Sequence, residues 1–145
     1  MIVVDANILL SAMRSSRGPS HRILRAMLMG EVTFAVSPAV ALEYEDVLKR
    51  PGILGEDAWL GESAIDTVLD AVFSRAVLIS PWFRFRPFLQ DPKDDIYIEC
   101  ALAAGASLIV SHDRHFQHPA VQAFGLTVMK AGEFWTQRMT RREPP

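Results

Sequence analysis

Short, largely apolar runs recur along this chain, separated by longer stretches with helical spacing. Ile2 to Val4, Val32 to Val36, Ser107 to Val110 and Leu126 to Val128 read as strands, with a weaker one over Ala76 to Ile79. The run Ile2 to Val4 holds no polar residue, so it suits a strand buried on both faces, as in a parallel sheet covered by helices. The intervening segments supply the helices. Asn7 to Met13 is short. Ser20 caps a second helix, which places Ile23, Leu24, Met27 and Leu28 on one side and ends at Gly30. Ser37-Pro38 is an N-cap followed by proline at the first helical position, and that helix runs to about Lys49, stopped by Pro51 and Gly52. Further helices are expected over Asp57 to Arg75, from Asp91-Pro92 to Gly105, and over Ala131 to Arg138. Strands alternating with helices imply an α/β sandwich around a parallel sheet.

The chain has 145 residues, half of them hydrophobic and 22% charged, enough for one domain with a substantial core. We expect that domain over residues 1–139, followed by a polar, frayed tail over 140–145. The net charge of −2 gives no global attraction to nucleic acid, so any such surface must be local. The single cysteine, Cys100, rules out an intramolecular disulfide. No apolar stretch is long enough to span a bilayer and no basic leader precedes the first strand, so a cytoplasmic protein without a membrane partner is expected.

Acids sit where such a sheet places its ligands, outside the carboxyl ends of the strands. Asp5 ends the first strand and Asp113 follows SLIVSH; either could equally be a turn former or a helix cap. In DPKDDIYIECALAAG, a helical projection puts Asp94 among Tyr97, Ile98 and Ala101, and turns Asp95 with Glu99 toward solvent. Asp94 could instead serve a capping box. In the helix after Ser37-Pro38, Glu43 borders the stripe of Val40, Tyr44, Val47 and Leu48, while Glu45 and Asp46 lie farther round; Glu43 could still be an ordinary surface acid. If the four converge, like charges about 5 Å apart repel by roughly 3 kcal/mol at an effective dielectric of about 20. Protons or a divalent cation must then neutralise them, and an all-oxygen donor set favours Mg²⁺ or Mn²⁺. His112, His115 and His118 lie close in sequence but lack the paired cysteines of a zinc motif.

The ordered set VVDANILLSA, SPAVALEYEDVLKRP, DPKDDIYIECALAAGASLIVSHD and GLTVMKAGEFW resembles the PIN domain family of metal-dependent ribonucleases, in particular stand-alone bacterial proteins regarded as toxins of toxin–antitoxin pairs. The resemblance covers nearly the whole chain. It implies a three-layer α/β/α sandwich with a central parallel sheet. It also implies that Asp5, Glu43, Asp94 and Asp113 are catalytic and metal-binding. On this resemblance Asp5 and Asp94 would hold the principal Mg²⁺ (or Mn²⁺), Glu43 and Asp113 would orient water or a second ion, and Asn7 and Ser111 would support the ligands from behind. Many relatives carry a further aspartate where this chain has His115, which bears on a second ion. The implied reaction is hydrolysis of RNA phosphodiesters. The implied partners are an RNA substrate, a small cognate antitoxin and a second copy of the chain.

Local positive charge for RNA is available in two places. Arg14, Arg17 and Arg22, with His21 and Arg25, follow the first acid, and Arg84 and Arg86 interleave with Trp82, Phe83, Phe85 and Phe88 as in single-strand binders. An ordinary solvated helix face would explain the first group, and loop packing or a dimer contact the second. Two other readings stay open. One is a phosphatase with Asp5 as nucleophile, although Asp5-Ala6-Asn7 lacks the second aspartate usual there; the other is a non-catalytic RNA- or protein-binding module on the same fold.

Overall fold

The register of the first strand fixes the position of the acids. The computed structural model describes residues 1–56, 58–81 and 92–142, with the side chains of 92–94 and 142 excepted. In it β1 (Ile2–Val4) runs parallel to β4 (Leu108–Val110), and β4 runs parallel to β5 (Thr127–Met129). A second parallel pair, β2 (Ala35–Val36) and β3 (Val77–Leu78), joins the first three strands through the Ile2–Phe34 bridge and an Ile2 N–H donated to the Thr33 carbonyl at 3.0 Å. The order across the combined sheet is therefore β3-β2-β1-β4-β5. Val3 and Val4 of β1 and Ile109 and Val110 of β4 are fully buried, as two-faced burial requires.

Among the described residues, seven helices complete the three-layer α/β/α sandwich: α1 (Ala6–Arg14), α2 (Pro19–Leu28), α3 (Pro38–Leu48), α4 (Ile65–Arg75), α5 (Pro92–Ala104), α6 (Pro119–Ala123) and α7 (Ala131–Arg142). In α3, Ser37 Oγ accepts the Val40 N–H at 3.2 Å and Pro38 occupies the first turn, as expected. Its core face is Val40, Tyr44 and Leu48 at four-residue spacing. At the end of α5, Gly105 adopts φ +70°, which lets Gly105 N–H reach the Leu102 carbonyl and Ala106 N–H reach that of Ala101. This Schellman turn satisfies the last carbonyls and delivers the chain directly into β4. The far end of α1 is tied down as well. The Arg14 guanidinium donates to the Ile53 carbonyl, and the Trp59 indole N–H donates to the Ala12 carbonyl at 2.8 Å.

Several local expectations change. Gly18 rather than Ser20 caps α2, and Ser20 lies buried in its first turn behind Pro19. The helix expected from Asp57 begins at Ile65 after a 3₁₀ turn over Glu62–Ala64. Short helical pieces at Arg114–Gln117 and Pro119–Ala123 fill a stretch in which no element is expected from sequence. Helix α7 continues to Arg142, taking in the first residues of the supposed tail. Among the described residues no helix is long and apolar enough to cross a membrane.

Candidate functional site

Chain order in the sheet creates a crevice. The connections from β1 lead to one side and those after β3 return to the other, so the switch point falls between β1 and β4, where sheets of this kind bind ligands at the strands' carboxyl ends. Val4 pairs with Val110, and the next residues, Asp5 and Ser111, continue the ladder: Asp5 N–H donates to the Val110 carbonyl at 3.0 Å, and Ser111 N–H to that of Met129 at 2.9 Å. Asp5 and Ser111 thus leave adjacent strands side by side.

Asp5 is 6% exposed. It caps α1, with Oδ1 accepting the Asn7 N–H at 3.3 Å, a favourable place for an anion at a helix N-terminus. Oδ2 accepts the Ser111 hydroxyl at 2.6 Å. The Ser111 oxygen in turn accepts the Asp113 N–H at 3.0 Å, and Asp113 accepts the His115 N–H at 2.9 Å while His115 Nδ1 lies 3.4 Å from the same carboxylate oxygen. Burial pushes the Asp5 carboxyl above its ordinary range; the Ser111 hydroxyl and the Asn7 amide oppose that, and the Asp113 charge adds to it. Among the described residues no lysine or arginine pairs with Asp5.

Two buried tyrosines close the floor. Tyr97 of α5, 1% exposed, accepts the Ala6 N–H at 3.1 Å, which brings its hydroxyl next to Asp5, the residue before Ala6. Tyr44 of α3 donates to the Val4 carbonyl. Burial, then the charge of Asp5, drives the Tyr97 hydroxyl far above its usual range, and Glu43 contributes in the same direction. Glu43, half-buried on α3, therefore lies within electrostatic reach of this floor. The side-chain carbonyl of Asn7 is buried without a hydrogen-bond partner among the described residues.

The structure thus brings together Asp5, Ser111 and Asp113, with Asn7 beside them and Glu43 nearby. The side chain of Asp94 lies outside the described residues; its backbone stands three residues before Tyr97 in α5. Among the described residues, no three His, Cys, Asp or Glu gather at metal-holding distance. Asp95 corrects the helical projection: it is 4% exposed rather than solvated. Helix α5 packs on β1, β2, β4 and α3 at once, so both its sides are interior, and a projection that assumes one buried face misplaces this residue.

Of the arginines, Arg14 is committed to the Ile53 carbonyl, Arg17 is exposed in the loop beyond the far end of α1, a nine-residue helix about 13 Å long that starts at Asp5, and Arg22 is exposed on α2. Arg84 and Arg86 lie outside the described residues. The histidine cluster is used structurally: His112 Nε2 accepts the Ala131 N–H at the start of α7, and His118 Nδ1 accepts the Ala120 N–H. Tyr97 is the site residue that sequence reasoning missed. A tyrosine in an otherwise aliphatic buried stripe needs a partner for its hydroxyl, and that need was the available signal.

Chemically, the crevice holds a desolvated carboxylate, a second carboxylate two residues past its serine partner, and an amide oxygen lacking a donor. These are hard oxygen donors, and they fit a hard divalent cation better than they fit one another. Residues 1–115 match the family model for the PIN domain. No curated protein matches the chain.

Proposed function

The chain belongs to the PIN domain family, a nuclease-type domain that generally works with divalent metal ions, and on that premise we propose that it is a Mg²⁺- or Mn²⁺-dependent ribonuclease. The observation that supports this reading best is the buried Asp5 carboxylate, raised by desolvation and pressed further by Asp113, with no basic residue among the described ones to offset it. In this reading Asp5 and Asp94 hold the principal ion, and Glu43 and Asp113 orient water or a second one. When bound, a divalent cation activates water for attack and offsets the charge that develops on the phosphoryl oxygens.

The chain's own residues prepare that reaction. The Ser111 hydroxyl fixes the Asp5 side chain in one orientation. The Ser111 oxygen, by accepting the Asp113 N–H, ties the loop after β4 to the same point. Asn7 supplies a free acceptor at the mouth of α1. The buried floor under Asp5 keeps bulk water from the carboxylate, so each electrostatic contact there counts for more than it would in solvent. Arg17 and Arg22, with Arg84 and Arg86, are the proposed contacts to RNA phosphates. The motif resemblance extends the reading to the toxin of a toxin–antitoxin pair, cytoplasmic, with a small antitoxin and a second copy of the chain as partners.

The test is cleavage of labelled RNA with and without divalent metal. Wild type should cut only with Mg²⁺ or Mn²⁺, and folded Asp5→Asn and Asp94→Asn should lose more than about 10²-fold in rate, the scale of removing a principal electrostatic interaction. Metal-independent cleavage, or full activity in Asp94→Asn, would refute the assignment.

A further inference from the structure

Two hydrogen bonds hold the Asp5 carboxylate, and a third ties down the helix that begins beside it. The Asn7 amide comes from Asp5's own helix and the Ser111 hydroxyl from the exit of β4; the third bond runs from the Ala6 N–H, next to Asp5, to the hydroxyl of Tyr97 on α5. We propose that Tyr97 is a positioning residue for this site: by accepting the Ala6 N–H, its hydroxyl locks α5 to the start of α1 beside Asp5 and so sets the spacing between Asp5 and the acid in the first turn of α5, Asp94. The inference rests on the ribonuclease reading for the purpose of that spacing, though not for the contacts themselves.

The geometry gives the hydroxyl a task for which phenylalanine has no substitute. Ala6 is the first residue of α1, and its N–H has no carbonyl partner within the helix. It is buried, so no solvent replaces a missing acceptor. The Tyr97 oxygen takes that N–H at 3.1 Å across 91 residues of sequence. Asp5, the residue before Ala6, acts electrostatically on that hydroxyl. Asp94 precedes Tyr97 by three residues in the same helix, about 4.5 Å along its axis. A rigid helix pinned at Tyr97 therefore carries Asp94 at a fixed offset from Asp5. The ring itself is held by Phe116, edge-on at 6.1 Å and 77°, and by burial among the core residues of α5 and β1.

Removing a group that orients a metal ligand commonly lowers metal affinity by roughly 10–100-fold without touching the ion. The experiment compares wild type, Tyr97→Phe and Phe116→Leu, a core variant that loosens the same ring while keeping its hydroxyl. Mn²⁺ binding is followed by electron paramagnetic resonance of the free ion, and the Ala6 amide by ¹⁵N–¹H spectra of metal-free protein. Tyr97→Phe should weaken Mn²⁺ at least about tenfold, speed exchange of the Ala6 amide and move its resonance. Phe116→Leu, though less stable, should bind Mn²⁺ within about twofold of wild type. Equal Mn²⁺ affinity in wild type and Tyr97→Phe overturns the inference and leaves the ribonuclease reading standing. Equal weakening in both variants reduces Tyr97 to a packing residue and also overturns it. No Mn²⁺ binding by wild type removes both.

Discussion

Replacing Ser111 with alanine deletes one oxygen that serves two hydrogen bonds. The bond to Asp5 is short, at 2.6 Å, buried and directed at a charged carboxylate. Such bonds contribute about 1.5–3 kcal/mol, against about 0.5–1.5 kcal/mol for the partly buried bond from the Asp113 N–H. Ser111→Ala should therefore destabilise the metal-free protein by about 2–4 kcal/mol, or about 6–12 °C in Tm for a domain of this size. The carboxylate left behind stays desolvated, so the loss belongs mainly to Asp5. It follows that the same substitution made in Asp5→Asn should cost only about 1–2 kcal/mol, because both remaining bonds are between neutral groups. The coupling between the two positions is then about 1 kcal/mol or more in a double-mutant cycle. Urea unfolding of the four proteins at neutral pH in chelator, with equal m-values, measures it. A coupling below about 0.5 kcal/mol, within the usual additivity error, would refute the claim that Ser111 acts through the Asp5 charge.

The pH dependence of stability offers a second check. Burial raises Asp5 above its ordinary value of 3.8, so the folded state binds that proton more tightly than the unfolded chain. Its contribution to the stability of metal-free protein should grow as pH falls through the folded pKa and be complete below 3.8; the difference between wild-type and Asp5→Asn unfolding curves across that window should show this sign. A difference that shrinks toward high pH instead of low would contradict the burial argument. For RNA, the double variant Arg17→Ala/Arg22→Ala should weaken binding to all sequences alike and reduce the magnitude of the salt slope by about 0.7 for each phosphate no longer neutralised, as read by fluorescence anisotropy at several salt concentrations. An unchanged slope would remove these two arginines from the RNA surface.

Much of the architecture was legible because parallel strands leave a plain signature. The runs Ile2 to Val4 and Leu108 to Val110 are apolar without alternation, and an acid or serine directly after each must emerge at the same sheet edge. Ser37-Pro38 was legible for a different reason, since a hydroxyl cap and a proline without an N–H both suit the first helical turn, and the structure has them there. The failures share a cause. Asp95, the start of α4 and the capping of α2 are decided by what packs against the segment, and local pattern carries no record of that. A projection of α5 could rank Asp94 above Asp95 only by assuming a solvent side, whereas this helix is enclosed by three strands and α3. Tyr97 was hidden because its ring fits the apolar stripe and its hydroxyl finds its partner 91 residues away.

The central position of β1 has a consequence for the order in which the protein can be made. Its first neighbour, near Phe34, leaves the ribosome early, but its second, β4, follows only after about another 75 residues. Asp5 and Ser111 stand 106 residues apart in the chain. At roughly 5–20 residues per second, the nascent N-terminal half waits for several seconds with one side of its central strand bare and a carboxylate without its serine. During that interval Ile2 to Val4 offers an open, apolar template for any other strand, so yield in the cell should depend on chaperone supply and on translation speed through residues 80–110 more than on the stability of the finished fold.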